Sequence, residues 1–169
     1  LVNFSVSGQA GTLEDVTFST DGTKMYALDD SDDVFQYTLS TAWDLSTASY
    51  DNVVFDVSSQ NTNPRGIDFK TDGTKMYMVS GSDTLHEYSL STAWDISTAS
   101  TNGRFVVSQD TTPKDLFFKP DGLKMYVIGD ANDDVYEYDL STAWDVASAS
   151  YLQNISISEV NPEGLFFKP

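Results

Sequence analysis

The sequence predicts an all-β fold: β-propeller blades of four antiparallel strands, three of them complete, with one more strand at each end. Three observations carry this. The chain repeats itself about every 50 residues, each repeat has an Asp-Gly turn between apolar runs, and no segment sustains helical periodicity. "DGTKMY" stands at 21–26 and 72–77, and "DGLKMY" at 121–126. "STAWD" stands at 40–44, 91–95 and 141–145. Phe18, Phe69, Phe118 and Phe167 share one repeat position; Phe4, Phe55, Phe105 and Ile155 share another.

Each repeat divides into four strands. Strand A reads "DVTFS", "GIDFK", "DLFFK" and the terminal "GLFFK". The turn after it holds Gly22, Gly73 or Gly122, since Asp-Gly is the strongest short hairpin signal. Strand B, "KMYAL", "KMYMV" or "KMYVI", is apolar on both faces, which suits a doubly buried central strand. Strand C, "VFQYTL", "LHEYSL" or "VYEYDL", alternates with period two, as a half-buried strand does. Strand D, "NFSVS", "VFDVS", "RFVVS" or "NISIS", alternates as well. A stacked β-solenoid is the rival, but its coils are shorter and lack hairpin turns within the unit.

The repeats run over about 13–58, 64–108 and 113–158 of a single domain 1–169, with a preceding strand D at 2–7 and a following strand A at 162–168. Closed propellers have roughly 4 to 8 blades, so three blades do not close a ring. The expectation is part of a longer propeller, copies that associate, or an open array whose strand edges invite pairing.

Composition narrows the function. Of 169 residues, 26 are acidic and 9 basic, for a net charge of −17. Nucleic-acid binding needs clustered Lys and Arg, so no nucleic-acid partner is expected, nor an anionic membrane surface. No apolar run approaches the ~18–20 residues of a membrane span, so no membrane insertion is expected. The absence of cysteine excludes disulfides, zinc–thiolate sites and thiol catalysis. The chain starts at Leu1 with no signal peptide to read, as if processed or cut from something longer.

The stretches "PRGIDFKTDGTKMYM" (64–78) and "PKDLFFKPDGLKMYV" (113–127), with "PEGLFFK" (162–168) as a partial copy, resemble the YVTN-type and lactonase-like β-propeller repeats. The likeness covers nearly the whole chain and is specific for the blade, not for an activity. The loop "YDLSTAWDVASAS" resembles repeats of marine bacterial and phage surface proteins. The Trp-Asp pairs (Trp43-Asp44, Trp94-Asp95, Trp144-Asp145) do not make a WD-repeat, which also needs an early Gly-His dipeptide. These residues are expected to fasten the blade, with Trp packed on its own or a neighbouring blade and Asp closing the loop.

Strand direction places A–B turns and C–D loops on one face of the disc and B–C and D–A loops on the other. The first face is nearly identical between repeats; the second diverges, as recognition loops or tolerant loops do. In two B–C loops, Asp29, Asp30, Asp32, Asp33 and Asp130, Asn132, Asp133, Asp134 gather hard oxygens that could serve calcium, the one cofactor considered. Neither loop has the EF-hand spacing, and turn chemistry accounts for the same residues. His86, the only histidine, occupies the strand C slot of Phe35 and Tyr136 and is read as a packed strand residue. Glu14, Asp15, Asp68, Asp115 and Glu163 fall on innermost strands near a central channel, with Arg65 and Lys114 among them, so the lining charge is mixed. The sequons at Asn3 and Asn154 lie in predicted strands.

These readings lead to the expectation of a non-enzymatic binding or scaffold module, secreted, on a cell surface or on a virion. Its B–C and D–A face would engage a glycan or protein, and its open edges would meet further copies or the rest of a longer chain. The alternatives are a lactonase-like hydrolase with a metal at the channel, and a structural unit that polymerises through its edges.

Overall fold

A computed structural model describes residues 4–60, 63–157 and 161–167. Its strands are β1 (Leu13–Phe18), β2 (Lys24–Asp29), β3 (Asp33–Leu39), β4 (Ala48–Asp56), β5 (Pro64–Phe69), β6 (Lys75–Ser80), β7 (Thr84–Leu90), β8 (Ala99–Val106), β9 (Pro113–Phe118), β10 (Lys124–Gly129), β11 (Asp134–Leu140) and β12 (Ala149–Ser156). They form three antiparallel sheets, ordered β1-β2-β3-β4, β5-β6-β7-β8 and β9-β10-β11-β12. The chain is all-β with blade-type sheets, as the repeat predicts. The second strand of each sheet is buried along almost its whole length, matching its apolar sequence.

Two details differ from the sequence reading. Strand D begins earlier, at Ala48, Ala99 and Ala149, immediately after a single 3₁₀ turn, and a register shift at Gln36/Tyr37, Glu87/Tyr88 and Glu137/Tyr138 absorbs the extra residue. The flanking strands form no ladder: 4–6 and 162–167 carry no strand pairing, because no B and C strands stand beside them. Residues 2, 3 and 168 of those two segments lie outside the described residues. Leu165 nonetheless sits where an inner strand belongs, since its N–H reaches Asp115 Oδ2 at 2.7 Å.

The Trp-Asp loop is a device built on glycine. Gly22, Gly73 and Gly122 have φ of 71°, 73° and 73°, and a Cβ on any of them would stand 2.2–2.4 Å from the indole of Trp43, Trp94 or Trp144. Each Trp is itself in the left-handed region, at 64°, 65° and 64°, an uncommon place for a bulky residue. The backbone compensates: each Trp N–H donates to the glycine carbonyl at 2.9–3.0 Å. Asp44, Asp95 and Asp145 then cap the 3₁₀ turns by accepting from the N–H two residues on, each at 3.0 Å. Gly73→Ala meets both the dihedral and the indole, and is expected to cost at least about 2 kcal/mol, read as a lower thermal midpoint.

The core lies between blades. Tyr26 stacks on Phe69 (4.4 Å) and Tyr77 on Phe118 (4.3 Å), and each Phe meets its blade's Trp at 5.5 and 5.3 Å. The Tyr26 and Tyr77 hydroxyls donate to the carbonyls of Trp94 and Trp144 at 2.7 and 2.8 Å. Phe55–Tyr88 and Phe105–Tyr138 make edge-to-face pairs farther out, at 5.2 and 5.1 Å. The two ends show each joint half-made: Trp43 is 61% exposed at one, Phe167 39% and Ile155 67% at the other.

Candidate functional site

Period two puts Asp15 of β1, Gly66 and Asp68 of β5, and Asp115 of β9 on one side of the innermost strands. Asp15, Asp68 and Asp115 line one cavity of about 180 Å³, walled otherwise by Thr17 and by apolar side chains that include Ile67, Leu116 and Phe166. Each carboxylate is fixed by the same pair of bonds. Asp15 accepts from the N–H of Val16 (2.7 Å) and of Ile67 in the next blade (2.8 Å). Asp68 accepts from Phe69 (2.8 Å) and Phe118 (3.3 Å). Asp115 accepts from Leu116 (2.7 Å) and Leu165 (2.7 Å). Side-chain carboxylates thus stand in for the hydrogen bonds that inner strands of separate sheets do not exchange.

Gly66 explains why the middle Asp has moved one pleat along. A Cβ there would stand 2.7 Å from Asp115 Oδ1 and 2.8 Å from its Cα. Only glycine lets the two inner strands approach so closely.

The apolar wall governs protonation. Burial pushes Asp68 up to about 7 against the pull of its two N–H donors, with the Asp15 charge adding to the rise. Burial pushes Asp115 to about 7 as well, helped by Asp15 and Asp68. Asp15 is also raised, chiefly by burial. Around the rim, Glu14 pairs with Arg65 at 2.7 Å and Lys114 with Glu163 at 3.2 Å, each pair joining neighbouring inner strands. The mixed charge read from the sequence is therefore a set of inter-blade ion pairs.

The acidic loops do not converge. Among the described residues, no three His, Asp or Glu side chains are placed to hold a metal ion. Asp29 instead ties its loop, accepting from Ser31 and Asp33 through Oδ1 and from Gly11 through Oδ2. Asp32 and Asp133 take left-handed φ of 69° and 55°, a turn position that Asp tolerates, and their carbonyls accept from Val57 and Ile157. Asp33 carries a raised carboxyl at the start of β3. Asp30 and Asp130 bond the preceding D–A loop through their backbone N–H groups. Asn132 donates to Gln109 and Tyr136, and Asp134 Oδ2 accepts from Asn154. These bonds hold the loops as turns, while Asp32 Oδ1 and Asp134 Oδ1 are buried with no hydrogen-bond partner among the described residues. The sequence reading missed Asp110, which is buried and fills the space left open at Gly129. The channel carboxylates, although they line one cavity, do not form a metal-holding group either.

No family model and no curated protein matches the chain. Solved structures share its fold. A candidate 6-phosphogluconolactonase from Bacteroides fragilis is 13% identical, with a TM-score of 0.67 over 93% of this chain and 42% of that one. A second, from Bacteroides uniformis, is 13% identical, with a TM-score of 0.66 over 93% and 44%. The periplasmic gluconolactonase of Pseudomonas aeruginosa is 16% identical, with a TM-score of 0.64 over 89% and 41%. Identity this low establishes the blade architecture alone, and the chain spans less than half the length of the structures it matches. These neighbours overturn the expectation of a non-enzymatic binding or scaffold module: the activities they are named for are lactone hydrolyses, which was the alternative. The tryptophan rings pack on the Asp-Gly turns of the face that repeats between blades, away from the divergent loops that were expected to bind.

Proposed function

We propose that this chain is the catalytic-channel segment of a lactonase-like propeller hydrolase acting on sugar-acid lactones. The cavity carries the proposal: three carboxyl groups on adjacent inner strands, two of them poised to hold or release a proton near pH 7. A general acid and a general base work best with such values. In the hydrolysis, an ionised channel carboxylate takes a proton from water as the water oxygen attacks the lactone carbonyl. The ring C–O bond then breaks, and the ring oxygen takes its proton from a protonated Asp68 or Asp115. The product is the open hydroxy acid, with no net gain or loss of protons by the carboxyl set. The backbone bonds hold each carboxyl in one orientation, so little reorganisation accompanies the step.

The opposite channel wall comes, on this reading, from further blades of a longer chain or from a second copy. At one end Phe18 and Trp43 (5.5 Å) form the Phe–Trp part of the inter-blade joint, and at the other Tyr126 and Phe167 (4.5 Å) form its Tyr–Phe part.

Following D-glucono-δ-lactone with a pH indicator should show hydrolysis above the spontaneous rate. Asp68→Asn and Asp115→Asn should each lower kcat about 100-fold or more. A wild-type rate equal to the background would overturn the proposal.

A further inference from the structure

Blade 2 departs from its neighbours at one cross-strand pair. Phe35 faces Val54 in blade 1 and Tyr136 faces Asn154 in blade 3, whereas His86 faces Arg104 in blade 2. The B–C loop changes with it: "DDSDD" and "GDANDD" are acidic, while blade 2 has "SGSD".

The result is a polar cleft of about 300 Å³ between the blade 1 D–A loop and blade 2, lined by Ser58, Ser59, Ser82, Thr84, His86 and Arg104 among others. It adjoins a second cleft of about 410 Å³ that shares His86 and Arg104. Neither is lined by an acidic side chain, in a protein with 26 of them. Every other described Lys and Arg pairs with a carboxylate at 3.8 Å or less; Arg104 pairs with none. His86 is 7% exposed and makes no hydrogen bond to a described residue.

A tyrosine packed near the imidazole, at 6.5 Å between ring centroids, is unsatisfied too. In blades 1 and 3 the buried tyrosine of strand C donates to a glutamine of the D–A loop: Tyr37 to Gln9 (3.5 Å) and Tyr138 to Gln109 (2.9 Å). In blade 2 Gln60 turns to Ser59 instead, and the Tyr88 hydroxyl is left buried with no partner. Buried polar groups without partners are few in native proteins, so blade 2 differs from its neighbours beneath the cleft as well as in it.

We propose that this cleft binds a small ligand through an oxyanion, a carboxylate or phosphate group, paired with the Arg104 guanidinium and hydrogen-bonded by His86 and the serine and threonine hydroxyls. Arginine matches the planar geometry of such groups with parallel N–H donors. The cleft is small, in the lower range of ligand pockets, which suits a single sugar acid or sugar phosphate. Burial, and then the Arg104 charge, hold His86 below its ordinary value, so it enters as a neutral imidazole with one N–H to donate. The site is separate from the channel and does not depend on the chemistry proposed there.

His86 is the only histidine, so its imidazole NMR signals report on this cleft alone. Titration with inorganic phosphate, with gluconate and with sodium chloride at equal ionic strength separates the cases. A saturable shift with phosphate only assigns a phosphate site, with gluconate only a carboxylate site, and with both a general oxyanion site. Arg104→Gln, an exposed position, should weaken the response at least tenfold, and Lys119→Gln, a surface control, should leave it unchanged. The proposal is overturned by a response that sodium chloride reproduces, by one that persists in Arg104→Gln, or by no response.

Discussion

Glu87→Ala is expected to destabilise the protein by about 3–5 kcal/mol, the largest loss from any single truncation outside the tyrosine joints. Glu87 is 1% exposed on β7, yet it is fully used. Oε1 takes Lys75 Nζ at 2.6 Å and the Asn102 amide, and Oε2 takes the N–H of Val146, in the next blade, at 3.0 Å. Truncation strands the ammonium of Lys75 and an orphan N–H at the start of a 3₁₀ turn in one step. Lys75 keeps its bond to the Trp144 carbonyl and some contact with water, which holds the loss at the lower end of the range. Glu87→Gln keeps the shape and one acceptor and should cost about 1–2 kcal/mol. Glu137 is the matched control. It holds the same repeat position and binds Lys124 and Gln153, but reaches no following blade. Glu137→Ala should therefore cost under about 1 kcal/mol. Urea unfolding of the three variants measures the differences, and equal losses at 87 and 137 would show that the inter-blade bond contributes nothing.

That contrast also marks what could be read from sequence. The strands were legible because each blade is a run of local hairpins, with a turn signal and a period-two pattern inside a window of about ten residues. The channel acids were legible only as members of inner strands. Their common role depends on bonds to residues about 50 positions away, Ile67 for Asp15 and Leu165 for Asp115. The repeat conceals it further, because blade 2 has Gly66 in the aspartate column and carries its carboxylate two residues on. Reading strand A by face rather than by column would have found the set. The left-handed Trp43, Trp94 and Trp144 had no local signal at all, since αL is a glycine habit and the stabilising bond comes from the glycine carbonyl across the turn. His86 was legible as a filled aromatic slot, but its pairing with an unpartnered arginine appears only with the β7–β8 register.

Stability should fall as pH rises from about 4 to about 8, and the channel carboxyls should be the main cause. An unfolded Asp ionises near 3.9. Asp68 and Asp115 ionise at about 7 when folded. Below pH 4 both states hold the protons and the groups contribute no difference. Between 4 and 7 the unfolded chain has released its protons while the folded channel retains them, so each step up in pH favours unfolding. Above the folded values both states are ionised and the loss levels off. A rise of this size corresponds to roughly 4 kcal/mol for one isolated, fully buried group. The cavity-facing side of these carboxyls and their mutual coupling reduce the expected loss for the pair to about 2–4 kcal/mol. Net charge also grows more negative over this range, and its repulsion acts in the same direction. Asp68→Asn separates the two effects. Its amide can accept from only one of Phe69 and Phe118, which costs about 1 kcal/mol at every pH. It removes one of the two carboxyls and also relieves Asp115, whose rise includes the Asp68 charge. The variant should be slightly less stable than wild type at pH 4.5 and more stable at pH 8, so the two stability–pH curves cross. Parallel curves from urea midpoints measured between pH 4 and 8.5 would show that the channel protons play no part and that overall charge sets the slope.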